Sequence, residues 1–153
     1  MKKKFLLVLL LFPVIGFSQN FIGKSKTQVN KELQRQIVKN DSLEITLSDK
    51  GSTLLLSVKA GKVSPADFIY GFDKSGKCQS EKIIAGCDSC YNKFLQAALA
   101  IKKYGWKKIN ENQYVSKYAS RMMIELPADN KDFSYTILKT GWNKYLYKQL
   151  SGN

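Results

Sequence analysis

Apolar side chains fall on every second position in three consecutive segments, and this period restricts the chain more than any other feature. Leu43, Ile45 and Leu47 alternate with Glu44, Thr46 and Ser48. After Asp49-Lys50-Gly51, Leu54, Leu56 and Val58 alternate again, and Phe68, Tyr70 and Phe72 form a third set. An extended chain turns successive side chains to opposite sides, so a period of two with one polar set specifies strands of a sheet that is buried on one face. Cys78 to Ile84 is extended in character as well. Trp106 to Ile109, Gln113 to Lys117, Arg121 to Leu126 and Phe133 to Leu138 add four more strand-like stretches.

Two stretches keep a helical period instead. Ser25-Lys26-Thr27-Gln28 has the S-x-x-Q form of a capping box, and Val29, Leu33 and Ile37 follow on one face, which predicts a helix ending near Asn40. Asp88 or Ser89 is placed to cap a second helix carrying Tyr91, Phe94, Leu95, Ala98 and Ile101, with Gly105 as its stop. Laying residues 48 to 72 over 116 to 138 sets Asp67-Phe68-Ile69-Tyr70 on Asp132-Phe133-Ser134-Tyr135, an offset of 65 positions. The expected fold class is therefore α+β. It is a single antiparallel sheet of six to eight strands with two helices on one face, built as a duplicated helix-plus-meander unit with halves at 22–86 and 87–150.

The first eighteen residues have the grammar of a secretory leader. Lys2, Lys3 and Lys4 precede an apolar run from Phe5 to Ile15, and Gly16-Phe17-Ser18 puts small residues before the expected cut. The run is shorter than a bilayer-spanning helix needs, and Pro13 interrupts it. The expectation is a removed leader at 1–18 and one domain at 19–153, exported to the periplasm or beyond, with no transmembrane segment in the mature chain. Without the leader lysines, 22 basic side chains face 12 acidic ones, a net of +10. Outside the cytosol that balance points to an anionic envelope component or a protein as partner. No basic run interleaved with aromatics matches a nucleic-acid module, so no nucleic acid partner is expected.

The stretch FIGKSKTQV, residues 21 to 29, resembles the I-G-x-[ST]-x-x-x-V opening of the SmpA/OmlA (BamE-like) envelope proteins and of β-lactamase-inhibitor-protein-like modules. IVKND, residues 37 to 41, stands here in place of the L-G-x-P that follows in that group. The resemblance implies a helix-plus-strands unit used for binding rather than catalysis.

Residues 71 to 90, GFDKSGKCQSEKIIAGCDSC, hold three motifs at once. Gly71 to Cys78 spells G-x-x-x-x-G-K-C, one residue short of a phosphate-binding loop. That loop must run from a strand into a helix, whereas here the following residues are extended and Asp73-Lys74-Ser75-Gly76 has the composition of a turn. Cys78, Cys87 and Cys90 are disulfide candidates, because exported thiols oxidise. Pairing of Cys78 with Cys87 or Cys90 would tie a strand to the second helix. The C-x-x-C pair Cys87/Cys90 at a helix start is also the arrangement of thiol-active proteins. Three cysteines with no histidine make a poor zinc site, and no metal or cofactor is expected.

The absence of histidine removes Ser-His-Asp and Cys-His chemistry and any imidazole base. No S-x-x-K occurs either, and the carboxylates, Glu81 among them, are dispersed and taken as ordinary surface acids. Enzyme activity is thus not the favoured reading. If Leu54, Leu56, Phe68, Tyr70, Met122, Ile124, Phe133 and Tyr135 point inward, the opposite face carries Leu55, Ile69, Met123 and Leu138, the candidate binding face. Trp142, Tyr145, Leu146 and Leu150, at helical spacing, are the candidates to cover part of it.

Overall fold

The computed structural model describes residues 20–40, 43–59, 65–129 and 131–151. The expected leader lies outside the described residues. Helix α1 (Lys26–Lys39) starts where its capping box requires. The Ser25 hydroxyl accepts the Gln28 N–H, and the Gln28 side chain accepts the Ser25 N–H at 2.9 Å, so two of the free amides of the first turn are satisfied. Val29 and Leu33 are fully buried, as the four-residue spacing dictates.

Four strands follow: β1 (Glu44–Asp49), β2 (Thr53–Lys59), β3 (Ala66–Phe72) and β4 (Cys78–Ala85). Then come α2 (Asp88–Leu99), β5 (Lys107–Asn110), β6 (Gln113–Val115), β7 (Met122–Glu125), β8 (Ser134–Lys139) and α3 (Lys144–Ser151). The fold is α+β, with one eight-stranded antiparallel sheet of order β1-β2-β3-β4-β8-β7-β6-β5 and three helices. β4 and β8 meet at the centre, and β1 and β5 are the edges.

Register assigns the two faces. Leu56 pairs with Phe68, Phe68 with Ile83, and Ile83 with Tyr135; Leu54 pairs with Tyr70, Tyr70 with Glu81, Glu81 with Ile137, and Ile137 with Ile124. Directly paired residues share a face, so these two rows form one continuous surface, and every side chain in them is buried. Phe94 of α2 meets Phe68 edge-on at 5.7 Å between centroids, and Tyr91 meets Tyr135 at 6.1 Å. The Tyr135 hydroxyl donates to the Phe94 carbonyl oxygen at 3.2 Å, and Val29 and Leu33 of α1 join the same cluster.

The start and end of the second helix differ from expectation. The cap of α2 is Cys87 rather than Asp88 or Ser89, and the helix ends at Leu99, with Ala100 as C-cap, before Ile101 and Gly105. The 65-residue offset lays β3 on β8. In the sheet, however, β3 is third in from the β1 edge and β8 is fourth in from the β5 edge, so the overlaid strands occupy different places. Residues 71–78 run from strand through turn to strand. Asp73 Oδ1 accepts the N–H groups of Ser75 and Lys77, each at 2.9 Å, and Gly76 takes φ +73°, which closes a hairpin and leaves no helix start to face a phosphate.

Candidate functional site

On the sheet face opposite the core, Leu55 pairs with Ile69, Ile69 with Lys82, Lys82 with Thr136 and Thr136 with Glu125. A second row runs Ser80, Leu138, Met123, Val115. Leu55, Ile69 and Leu138 are half-buried, as is Ile84 next to them. Met123, the fourth candidate, is buried at 6 % exposure, and Val115 is fully buried.

The two ends of this face therefore differ. At the β5 end α3 packs against the edge strand, with Tyr147 edge-on to Tyr118 at 5.8 Å. Of the expected covering residues, Tyr145, Leu146 and Leu150 remain exposed, at 70, 37 and 39 %. The apolar positions of β2, β3 and β4 keep their partial access to solvent. Polar neighbours Thr53, Ser57 and Thr136 surround them, also half-buried.

The cysteines pair otherwise than expected. Cys87 and Cys90 form the disulfide, with Cα atoms 5.1 Å apart, and Cys78 is free and buried. The reason is strand length. Cys78 opens β4 and Cys87 follows its far end, and a strand rising about 3.3 Å per residue carries Ala85 roughly 23 Å from Cys78. A disulfide spans at most about 7 Å between Cα atoms. Cys87, half-buried, is the N-cap of α2, and its sulfur accepts the Cys90 N–H at 3.1 Å, with Ser89 Oγ at 3.3 Å. Cys90 points inward at 4 % exposure. Burial pushes the Cys78 thiol up to about 12, and the neighbouring Glu81 adds to the shift, so Cys78 holds its proton at physiological pH.

Glu81 is the group that sequence reasoning missed. It is 5 % exposed and lies between Tyr70 on β3 and Ile137 on β8. Its Oε1 accepts the N–H of Phe21. Burial raises its carboxyl from 4.5 to about 8, and the N–H groups of Phe21 and Ile22 and the charge of Lys24 oppose that rise. Tyr70 Oη, beside it, is buried with no hydrogen-bond partner among the described residues. The cavity next to them is about 10 Å³, too small for any substrate. The available signal was the alternation Glu81, Ile83, Ala85, but the adjacent Ile84 blurred which face was inward.

Among the described residues no cluster of three or more histidine, cysteine, aspartate or glutamate side chains is set to hold a metal, and no helix is long and apolar enough to cross a membrane. No protein-family model, no curated protein and no solved structure matches this chain.

Proposed function

We propose that this chain is an exported, non-enzymatic binding module of the bacterial envelope that engages its partner through the open part of the sheet face. The observation carrying this reading is the half-exposed apolar group Leu55, Ile69, Ile84 and Leu138 on the side of the sheet away from the core. Apolar side chains left side by side with a polar surround gain free energy when a partner removes them from water, by about 25 cal/mol per Å². The architecture we propose is a duplicated unit, two helices on one face of the sheet. Support comes from the element order, a helix and four strands twice over, and from the strand order, in which the fourth strands of the two units, β4 and β8, lie side by side; this equivalence is by element and replaces the one given by the 65-residue offset. This is the architecture that the resemblance of residues 21 to 29 to SmpA/OmlA-type modules implies. Photo-cross-linking in the exporting cell tests the function. A discrete protein adduct from position 69, absent from the exposed helix position 93, supports it; equal labelling at both positions, or none, removes it.

A second reading has its own observation. Cys87 is half-buried at a helix N-terminus and Cys90 is buried behind it, the asymmetry that thiol–disulfide exchange uses. A substrate thiolate attacks Cys87 Sγ, the Cys87–Cys90 bond breaks, and Cys90 leaves with the electron pair and takes a proton. A second substrate thiol then displaces Cys87, so a substrate dithiol is oxidised as the pair is reduced. Equilibration against glutathione decides this reading. A midpoint near that of the glutathione couple, with Cys78 unchanged, supports exchange; a pair reduced only at far lower potential acts as a staple.

A further inference from the structure

We infer that α3 docks the protein onto an anionic phospholipid bilayer, lying in the headgroup layer with its leucine row dipped toward the acyl chains. The inference goes beyond the sheet-face reading and uses a different surface. Asn143 starts the helix: its Oδ1 accepts the Leu146 N–H at 2.9 Å, and its carbonyl accepts the Tyr147 N–H at 3.1 Å. Residues four apart stack into rows on such a helix. Tyr147 and Ser151 form the row turned to the body; Tyr147 meets Tyr118 at 5.8 Å between centroids, and Ser151 is buried. Tyr145 and Gln149 form the row turned out, joined by a hydrogen bond from Gln149 Nε2 to Tyr145 Oη at 2.8 Å. Leu146 and Leu150 flank that outer row on one side, Lys144 and Lys148 on the other.

Four large apolar side chains are exposed among the described residues, and three of them, Tyr145, Leu146 and Leu150, are on this one helix. Their spacing suggested a cover for the sheet face; packing leaves them facing water instead. The charge around them has one sign. Lys144 and Lys148 are exposed on the helix, and Arg121, exposed too, stacks on the Tyr118 ring at 5.0 Å, the ring that Tyr147 touches. β5, the edge strand in contact with α3, adds the exposed Lys107 and Lys108. Neither α3, β5 nor the 116–121 segment contains an acidic residue; Glu111, in the turn after β5, is the acid nearest to them in sequence. Exposed apolar side chains among cations are the composition of an interfacial helix. The leucines leave water, the tyrosine sits at headgroup depth, and the cations meet lipid phosphates within a Debye length of about 8 Å. At 1.5 Å per residue the helix is about 12 Å long, so it lies on a bilayer and does not cross one. A second copy suits this surface poorly, because cations on both copies would face one another without acids to pair with.

The test uses the full exported chain and vesicles of phosphatidylcholine with and without phosphatidylglycerol, with soluble polyglutamate as comparator. Expected results are binding at least tenfold tighter to the phosphatidylglycerol vesicles, and at least tenfold loss both in Leu146→Gln/Leu150→Gln and in Lys144→Gln/Lys148→Gln. A polarity-sensitive dye attached at Leu146→Cys should shift to the blue on those vesicles, while the same dye at Lys93→Cys on α2 should not; the folded chain offers the dye no other thiol, since Cys78 is buried and Cys87 and Cys90 are joined. The substituted side chains are exposed, so an unchanged melting temperature checks the fold, and Tyr145→Ser replaces the leucine pair if that pair destabilises the chain. Absence of binding, equal binding to pure phosphatidylcholine, polyglutamate bound as tightly as the vesicles, indifference to either pair of substitutions, or a dye at position 146 that stays in water overturns the proposal. A concentration-dependent dimer that the leucine substitutions abolish also overturns it and assigns the row to a second copy. None of these outcomes bears on cross-linking from position 69, so the two readings fail separately.

Discussion

Glu81 Oε1 accepts the backbone N–H of Phe21 across 60 positions of sequence, and both residues are buried. The contact fastens the segment before α1 to the central strand of the sheet. Gly23 N–H to the Cys78 carbonyl at 2.7 Å, Cys78 N–H to the Lys24 carbonyl at 2.8 Å and Lys26 N–H to the Gly76 carbonyl at 3.0 Å continue the seam.

Stability should fall as pH rises from about 5 to about 8. Glu81 is raised in the fold, so between its ordinary value of 4.5 and about 8 the native state binds more protons than the unfolded chain. The favourable contribution is complete below that window and is lost through it, with an upper size of about 5 kcal/mol. Asp49 and Asp73, held low by hydrogen bonds from Lys26 and Ser75, act in the opposite sense only as pH drops below their ordinary 3.8. Glu81→Gln keeps an acceptor for Phe21 and should flatten the profile. Urea titrations at pH 5.5 and 8.5 measure both, and a slope unchanged in the variant contradicts the assignment.

Phe21→Ala should cost about 3 to 5 kcal/mol, the size expected for emptying a fully buried aromatic site. Phe21 is 0 % exposed and meets Tyr70 edge-on at 5.4 Å between centroids. A loss below about 1 kcal/mol in chemical denaturation would show that the segment is only loosely docked.

Tyr70→Phe should be neutral or stabilising by about 1 kcal/mol, because the hydroxyl it removes is buried without a partner among the described residues. A loss of 2 kcal/mol or more would mean that Tyr70 Oη has an essential partner.

Intact mass after alkylation counts the thiols. The native protein should take up no label, since Cys78 is buried and the other two are joined; unfolding without reductant should admit one label, and unfolding with reductant three. Two labels on the unfolded, unreduced chain are impossible for this pairing without a thiol lost elsewhere, and label at Cys87 before reduction rules the pairing out.

Ile69→Asp and Met123→Asp separate the two ends of the open face. Ile69 is half-exposed and its change should leave the melting temperature within about 2 °C. Met123 is 6 % exposed, and burying a carboxylate there should cost several kcal/mol. Thermal unfolding of the two variants side by side is the check, and equal tolerance would mean that the β5 end is open as well.

Local order was legible in the sequence because its causes are local. The capping box at Ser25 and Gln28, the period-two apolar sets of β2 and β3, and the turn at Asp73 to Gly76 each rest on neighbours a few residues away. The face carrying Leu55, Ile69 and Leu138 followed from strand alternation in the same way. What tertiary structure alone decided are relations between distant positions. The length of β4 set Cys78 apart from Cys87 and left Cys87 to pair with Cys90 across a helix start. Met123 is buried while its fellow Leu138 stays half-exposed, a difference that alternation along the strands does not carry. The inward side of β4, ambiguous where Ile83 and Ile84 stand together, turned Glu81 from an ordinary acid into the buried acceptor of Phe21. Periodicity states which residues share a face; which face is dry depends on what the rest of the chain lays over it.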